Sequence, residues 1–175
     1  INTLVKAGIK EVLIVVGGPY AGHFIRVLKN GKELRLSHIE YAFQETEGGI
    51  ADALSLAEDF VDKDNVAVIL GDNCTDADIS SSVTEFKDGA MIFLKEVKDP
   101  QRFGVPKFNK KGEITKIEEK PKTPASNFAV TGLYLFDKSA FSKIKSLSPS
   151  ARGELEITDL NNLYLREGKL KWAKL

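Results

Sequence analysis

Cysteine is nearly absent from this chain: Cys74 is the only one in 175 residues. A lone cysteine excludes an internal disulfide and a multi-cysteine zinc site, and it fits a reducing compartment. An excess of one charge is missing too. Lysine and arginine number 25, aspartate and glutamate 25, and the formal net charge is zero. That balance removes the electrostatic argument for a nucleic-acid binder or a binder of anionic membranes. No apolar run approaches the roughly 20 residues of a membrane span. No basic-then-apolar leader opens the sequence, and neither an internal repeat nor a low-complexity segment interrupts it. The length suits one domain with a sizeable core. The expectation is a soluble cytoplasmic domain.

What is present is an alternation of buried strands and helices. Glu11 to Val16 (EVLIVV) is β-branched and almost wholly apolar, the pattern of a strand buried on both faces. His23 to Leu28 predicts a short helix and Ile39 to Gln44 a second strand. Ile50, Ala53, Leu54, Ala57, Phe60 and Val61 recur at helical spacing and predict one amphipathic helix. Val66 to Leu70 is a buried strand running into Gly71-Asp72-Asn73. A helix over Asp78 to Phe86 and a strand over Ala90 to Val97 follow. After Asp99-Pro100 the pattern changes. Phe103 to Phe108, the turn Asn109 to Gly112, and Glu113 to Glu119 predict a β-hairpin. Val130 to Phe136 is again a buried strand, Lys138 to Lys145 and Ile157 to Glu167 are helices, and Leu170 to Leu175 alternates like a strand. Alternation of this kind implies an α/β fold, with a mixed, mostly parallel sheet, helices on both faces and a small hairpin subdomain. Asn2 to Ala7 reads as the last turns of a helix stopped by Gly8, so both ends are expected to lie inside a longer fold.

In such sheets ligands bind beyond the carboxyl ends of the strands. Asp72 follows its strand directly and is a candidate for Mg²⁺, which is usually held by one or two carboxylates together with substrate phosphates. The alternative is a turn or helix-cap aspartate. Lys120, between Glu119 and the strand-stopping Pro121, is a candidate point charge for phosphate. Arg152 could grip a phosphate with its planar fork, or simply pair with a nearby glutamate. Gly48-Gly49 opens the helix after Gln44 and would let a planar or phosphorylated ligand approach the backbone, although a plain turn fits equally. Glu156, Thr158 and Asp159 read as helix-start residues. His23 and His38 lack partners at informative spacing and read as surface or packing residues. Cys74 has no activating base nearby and reads as small and half-buried.

Several segments then fall in a telling order: Leu4 to Val12, Gln44 with Gly48 to Ala51, Gly71-Asp72-Asn73, Arg102 to Val105, Glu119-Lys120-Pro121, Asn127 to Tyr134, and Arg152 to Asp159. The set, which covers essentially the whole chain, resembles the glucose-1-phosphate thymidylyltransferases of the sugar-phosphate nucleotidyltransferase family. VTGLY and RGELEITD point to that branch over uridylyl and cytidylyl relatives.

The resemblance implies a single Rossmann-like nucleotidyltransferase domain over residues 1–175. It also implies a first strand with a Gly-rich loop ahead of Ile1, and a second metal-binding aspartate beyond Leu175. By position, Gln44 and Gly49 would contact the nucleobase, and Asp72 would help hold Mg²⁺ near the sugar. Gly104 would sit against the hexose, Glu119 would bind its hydroxyls, and Val130 and Tyr134 would line its pocket. Lys120 and Arg152 would clamp the 1-phosphate. The implied reaction joins dTTP and α-D-glucose 1-phosphate into dTDP-glucose and pyrophosphate, in a homo-oligomer. Two alternatives stay open: a relative using UTP, CTP or GTP, and a non-catalytic sugar-nucleotide-binding module.

Overall fold

Strand β7 (Phe128–Phe136) organises the molecule because all but two of its nine residues are buried. In the computed structural model, which describes residues 1–175, it pairs antiparallel with β3 (Val66–Ile69) on one side and β4 (Ala90–Glu96) on the other. Strand β8 (Leu170–Lys174) lies parallel to β4 at the outer edge, giving the order β3-β7-β4-β8. Three of the four strands therefore run one way and β7 alone opposes them, so the sheet is mixed. Ile92 pairs with Tyr134 and Leu94 with Val130, so one residue, Phe93, opposes three on β7, Thr131 to Leu133. A bulge of this kind bends a strand and frees backbone groups beside it.

The remaining strands form two separate pairs. Strand β1 (Glu11–Gly17) runs parallel to β2 (His38–Gln44), with Gly17 opposite Gln44. The hairpin β5 (Gly104–Phe108) and β6 (Ile114–Glu119) turns on Asn109, whose side-chain oxygen accepts from the N–H groups of Lys111 and Glu113. Helix α7 (Ile157–Arg166) packs against β6. Its Asn162 side chain receives the Ile117 N–H at 3.0 Å and donates to the Ile117 carbonyl at 2.8 Å, so a side chain satisfies the strand's free edge.

The main core joins α7 to the sheet through Leu160, Tyr164, Phe136, Ile92 and Leu94, each fully buried. Ala140 and Phe141 of α6 (Ser139–Ile144) complete it. The amphipathic stripe from Ile50 to Val61 is split into α3 (Ile50–Ser55) and α4 (Glu58–Val61), because Leu56 and Ala57 donate to carbonyls three residues back. Ala51, Leu54, Ala57 and Val61 nevertheless all reach the same core.

Between β1 and β3 lies an apolar slot of about 750 Å³. Each strand has a partner on its far edge and turns its other edge to the slot. One face is walled by Leu54, Ala57 and Val61, the other by Leu4 of α1 (Asn2–Lys6), Val83 of α5 (Ser80–Glu85) and Phe86. This openness explains why only Val12 and Val16 of β1 are buried, where burial on both faces was expected. Helix α2 (Ala21–Leu28) contributes no buried residue. Cys74, expected half-buried, is exposed because the chain has left the sheet at Gly71. No helix is long and apolar enough to cross a membrane.

Candidate active site

Lys120 has a backbone that its sequence does not announce. It sits at the end of β6 with φ +43°, in the left-handed region that non-glycine residues seldom enter. Its N–H donates to the Phe103 carbonyl at 3.0 Å, and this bond fixes the turn ahead of Pro121. The side chain is exposed and takes part in none of the ion pairs of the molecule. Strain of this kind is retained where the surroundings over-determine it, often at ligand sites. Beside it, Glu119 pairs with Gly104 across the hairpin, which brings those predicted residues together.

The loop before α7 brings Arg152 to the same place. Its Nε and Nη2 donate to the Glu156 carboxylate at 3.2, 2.9 and 2.8 Å. Nη2 also lies 3.2 Å from Glu154 and 3.7 Å from Glu119. The hydrogen bond to Glu156 and the three negative charges hold the guanidinium pKa above its usual value, with partial burial opposing them. The first turn of α7 contributes a second contact, since the Thr158 hydroxyl donates to Glu119 at 2.5 Å. Thr158 thus orients the carboxylate that Lys120 follows.

The Gln44–Gly49 turn lies across from this cluster. The Gln44 amide nitrogen donates to the Gly49 carbonyl at 3.2 Å and to Asp52 at 2.7 Å, which leaves its oxygen as a free acceptor. Gly49 has φ +97°, and a Cβ there would lie 2.6 Å from the Leu155 carbonyl oxygen, so only glycine fits. Leu155 joins both loops: its N–H donates to the Gly48 carbonyl at 2.7 Å, and its carbonyl accepts from Ala51 at 3.2 Å. Gln44 and Gly49 are therefore tied to the Arg152 loop by backbone.

Asp72 stands apart from the two cations, with no ion pair of its own. One of its oxygens accepts from the Asn73 amide at 2.8 Å, and Asn73 in turn accepts the Gly132 N–H at 2.9 Å. The β7 bulge frees that N–H. Any side chain at Gly132 would meet the Asn73 amide at 2.5 Å. No group of three or more histidine, cysteine or acidic side chains could hold a metal. A single exposed carboxylate that shares an ion with phosphates and water suits Mg²⁺.

Val130 and Tyr134 are core residues, 7% and 3% exposed, so they back the site rather than form an open wall. Burial first, and the Glu119 charge second, push the Tyr134 phenol well above its usual pKa. An open cavity of about 950 Å³ on the outer side of β6 is lined by Glu119, Pro121, Thr158, Asp159 and Arg166, but not by Lys120 or Arg152. Lys120 adjoins Glu119 along the chain, and Arg152 approaches the same carboxylate at 3.7 Å. Asn73, Leu155, Glu156 and Thr158 all make contacts with the candidate residues that sequence spacing did not assign. The turn chemistry of Gly71-Asp72-Asn73 and the helix-start reading of Glu156 and Thr158 hid them.

Known proteins resemble this chain in both sequence and fold. The nucleotidyl transferase family model matches residues 1–174. A glucose-1-phosphate thymidylyltransferase of Neisseria meningitidis is 41% identical over 174 residues, which span 97% of this chain and 60% of that protein. One from Actinoplanes is 42% identical over 171 residues, covering 96% of this chain and 56% of the relative. The chain thus spans somewhat under two thirds of the length of these relatives. A crystal structure from Bacillus anthracis, assigned as a glucose-1-phosphate thymidylyltransferase and holding sucrose, superposes with a TM-score of 0.92 at 46% identity, over 99% of this chain and 71% of that one. A UDP-glucose pyrophosphorylase bound to UDP-glucose has the same fold, with a TM-score of 0.79 at 20% identity. Fold, ordered motifs and the match over residues 1–174 lead to one assignment: this chain belongs to the nucleotidyl transferase family.

Proposed function

We propose that the complete protein transfers a thymidylyl group from dTTP to α-D-glucose 1-phosphate, releasing dTDP-glucose and pyrophosphate. The observation that carries this reading is Lys120, held in a left-handed backbone at the end of β6 with Arg152 across Glu119 from it. Lys120 and Arg152 neutralise and orient the sugar phosphate, whose oxygen attacks the α-phosphorus in line. Catalysis is then positioning and charge stabilisation with no protein nucleophile. Glu119, oriented by Thr158, accepts from hexose hydroxyls near Gly104, with Val130 and Tyr134 behind them. The free Gln44 oxygen accepts an N–H of the base beside Gly49. Asp72 would hold Mg²⁺, which when bound supplies charge neutralisation at the phosphates.

The slot between β1 and β3 supports a further part of the reading. Two open strand edges and apolar walls on both faces suit an extended apolar strand from the rest of the protein, leading into the Gly-rich triphosphate loop. The 175 residues alone are therefore expected to have negligible transferase activity, and robust dTDP-glucose formation by them would contradict this. A single exposed cysteine fits the cytoplasm as the compartment.

In the complete protein, Lys120→Ala should lower kcat about 10²- to 10³-fold with the fold intact. Normal activity would refute the assignment. Pyrophosphate release from dTTP, UTP, CTP and GTP, each with glucose 1-phosphate, tests the choice of nucleotide. The alternative reading, a sugar-nucleotide-binding module, predicts ligand-induced stabilisation without pyrophosphate release.

A further inference from the structure

We infer that Glu156 is a positioning residue, which holds one edge of the Arg152 guanidinium so that Nη1 is presented to the phosphate of the sugar substrate. The inference rests on the functional reading above and adds a residue to it. Glu156 occupies the N-cap of α7, yet its carboxylate makes no cap bond to the helix backbone. It is 7% exposed and turns instead toward Arg152. Both of its oxygens are used: Oε1 accepts from Nε and Nη2 of Arg152, and Oε2 from Nη2. Ser150 braces it, with its hydroxyl donating to Oε1 at 2.7 Å while accepting the Arg152 N–H at 3.2 Å.

The Nε–Nη2 edge is thus fully engaged, whereas Nη1 has no protein acceptor. A carboxylate buried this well must be matched by a cation, so the pair is fixed in one geometry. Fixing it removes side-chain freedom that an unpaired arginine would lose only when phosphate binds. The competing possibility is that Glu156 sequesters Arg152 from phosphate. Glu154 and Glu119 lie at 3.2 and 3.7 Å from the same Nη2, and they add to the local negative charge. The two ideas predict opposite signs.

The test measures α-D-glucose 1-phosphate binding to the complete protein by calorimetry, with glucose as the uncharged control. A second readout follows the arginine Nε–Hε NMR signal that Arg152→Lys removes. Glu156→Ala should collapse that signal into the exchange-averaged group and weaken glucose 1-phosphate about tenfold, leaving glucose unaffected. Glu156→Gln keeps the acceptor oxygen and should restore signal and affinity to within about twofold. Tighter binding by either variant would mean sequestration and overturn the inference. So would an unchanged signal and affinity in Glu156→Ala. Should Glu156→Ala not fold, Ser150→Ala removes only the brace and should cost about threefold, against no change if Glu156 is incidental. A parent protein that binds no glucose 1-phosphate overturns the functional reading as well; normal parent binding with an indifferent Glu156→Ala overturns this inference alone.

Discussion

The half of the molecule around α7 is closed, while the half around β1, β2 and α2 is open. On the α7 side, Leu160 and Tyr164 have no exposure, Asn162 ties off the β6 edge, and Glu156 and Thr158 reach the site. On the other side, α2 buries nothing, and Phe24, Ile25 and Val27 are 48, 50 and 74% exposed. The contrast follows from connectivity. Strand β4 has partners on both edges, whereas β1 has one partner and borders the slot. A sugar-phosphate site can be built on the closed half alone. The Gln44–Gly49 turn is tied to the closed half by the backbone hydrogen bonds of Leu155.

The largest expected effect strikes the closed half. Leu160→Ala deletes a fully buried side chain between α7 and the sheet, and should cost about 2–5 kcal/mol of unfolding free energy in urea. Less than 1 kcal/mol would mean that the two halves are equally loose. Asn162→Ala comes next. It strips the Ile117 N–H and carbonyl of their partners and should cost about 1–3 kcal/mol. Because α7 and β6 carry Thr158 and Glu119, that variant should also weaken sugar-phosphate binding, which Leu28→Val on α2 should not do.

The strands and the motif set were legible in the sequence, since apolar runs such as VAVIL and VTGLYLF can be little else than buried strands. The hairpin was equally readable from Asn109 to Gly112, where turn chemistry is local. Local pattern did not reveal long-range geometry. The left-handed backbone of Lys120 depends on the Phe103 carbonyl. The free oxygen of Gln44 depends on Asp52, and the pin on Arg152 depends on which way an N-cap side chain turns. The bulge that frees Gly132 for Asn73 needs a register between β4 and β7 that no spacing encodes. The split between α3 and α4 escaped notice because the apolar stripe runs through it unchanged.

A smaller effect is expected at Asp137, which joins β7 to α7 and is sensitive to pH. Partial burial would raise its pKa, but bonds from Ser139, the Gly89 N–H and the Tyr164 hydroxyl outweigh it and hold the carboxyl below the usual range. A folded pKa below the unfolded one contributes stability at neutral pH, and this is lost as pH falls from about 4 through the folded value. Asp137→Asn should cost about 1 kcal/mol at pH 7, because its amide would face the Gly89 N–H. It should also flatten the fall in stability between pH 5 and about pH 3. An unchanged acid slope would show that Asp137 is not the group responsible.

The smallest effect separates the halves most directly. Val27 is 74% exposed on α2, so Val27→Ser removes little apolar area from contact with protein. Its cost should stay within about 0.5 kcal/mol, the range of surface substitutions away from special features. Helix propensity contributes almost nothing, since valine and serine are close on that scale. Serine lowers the apolar exposure of the patch, so dye binding to exposed hydrophobic surface should fall even though stability does not. A loss above 1 kcal/mol would mean that α2 packs in solution against something the chain itself supplies. The open half would then be as closed as the half built on α7.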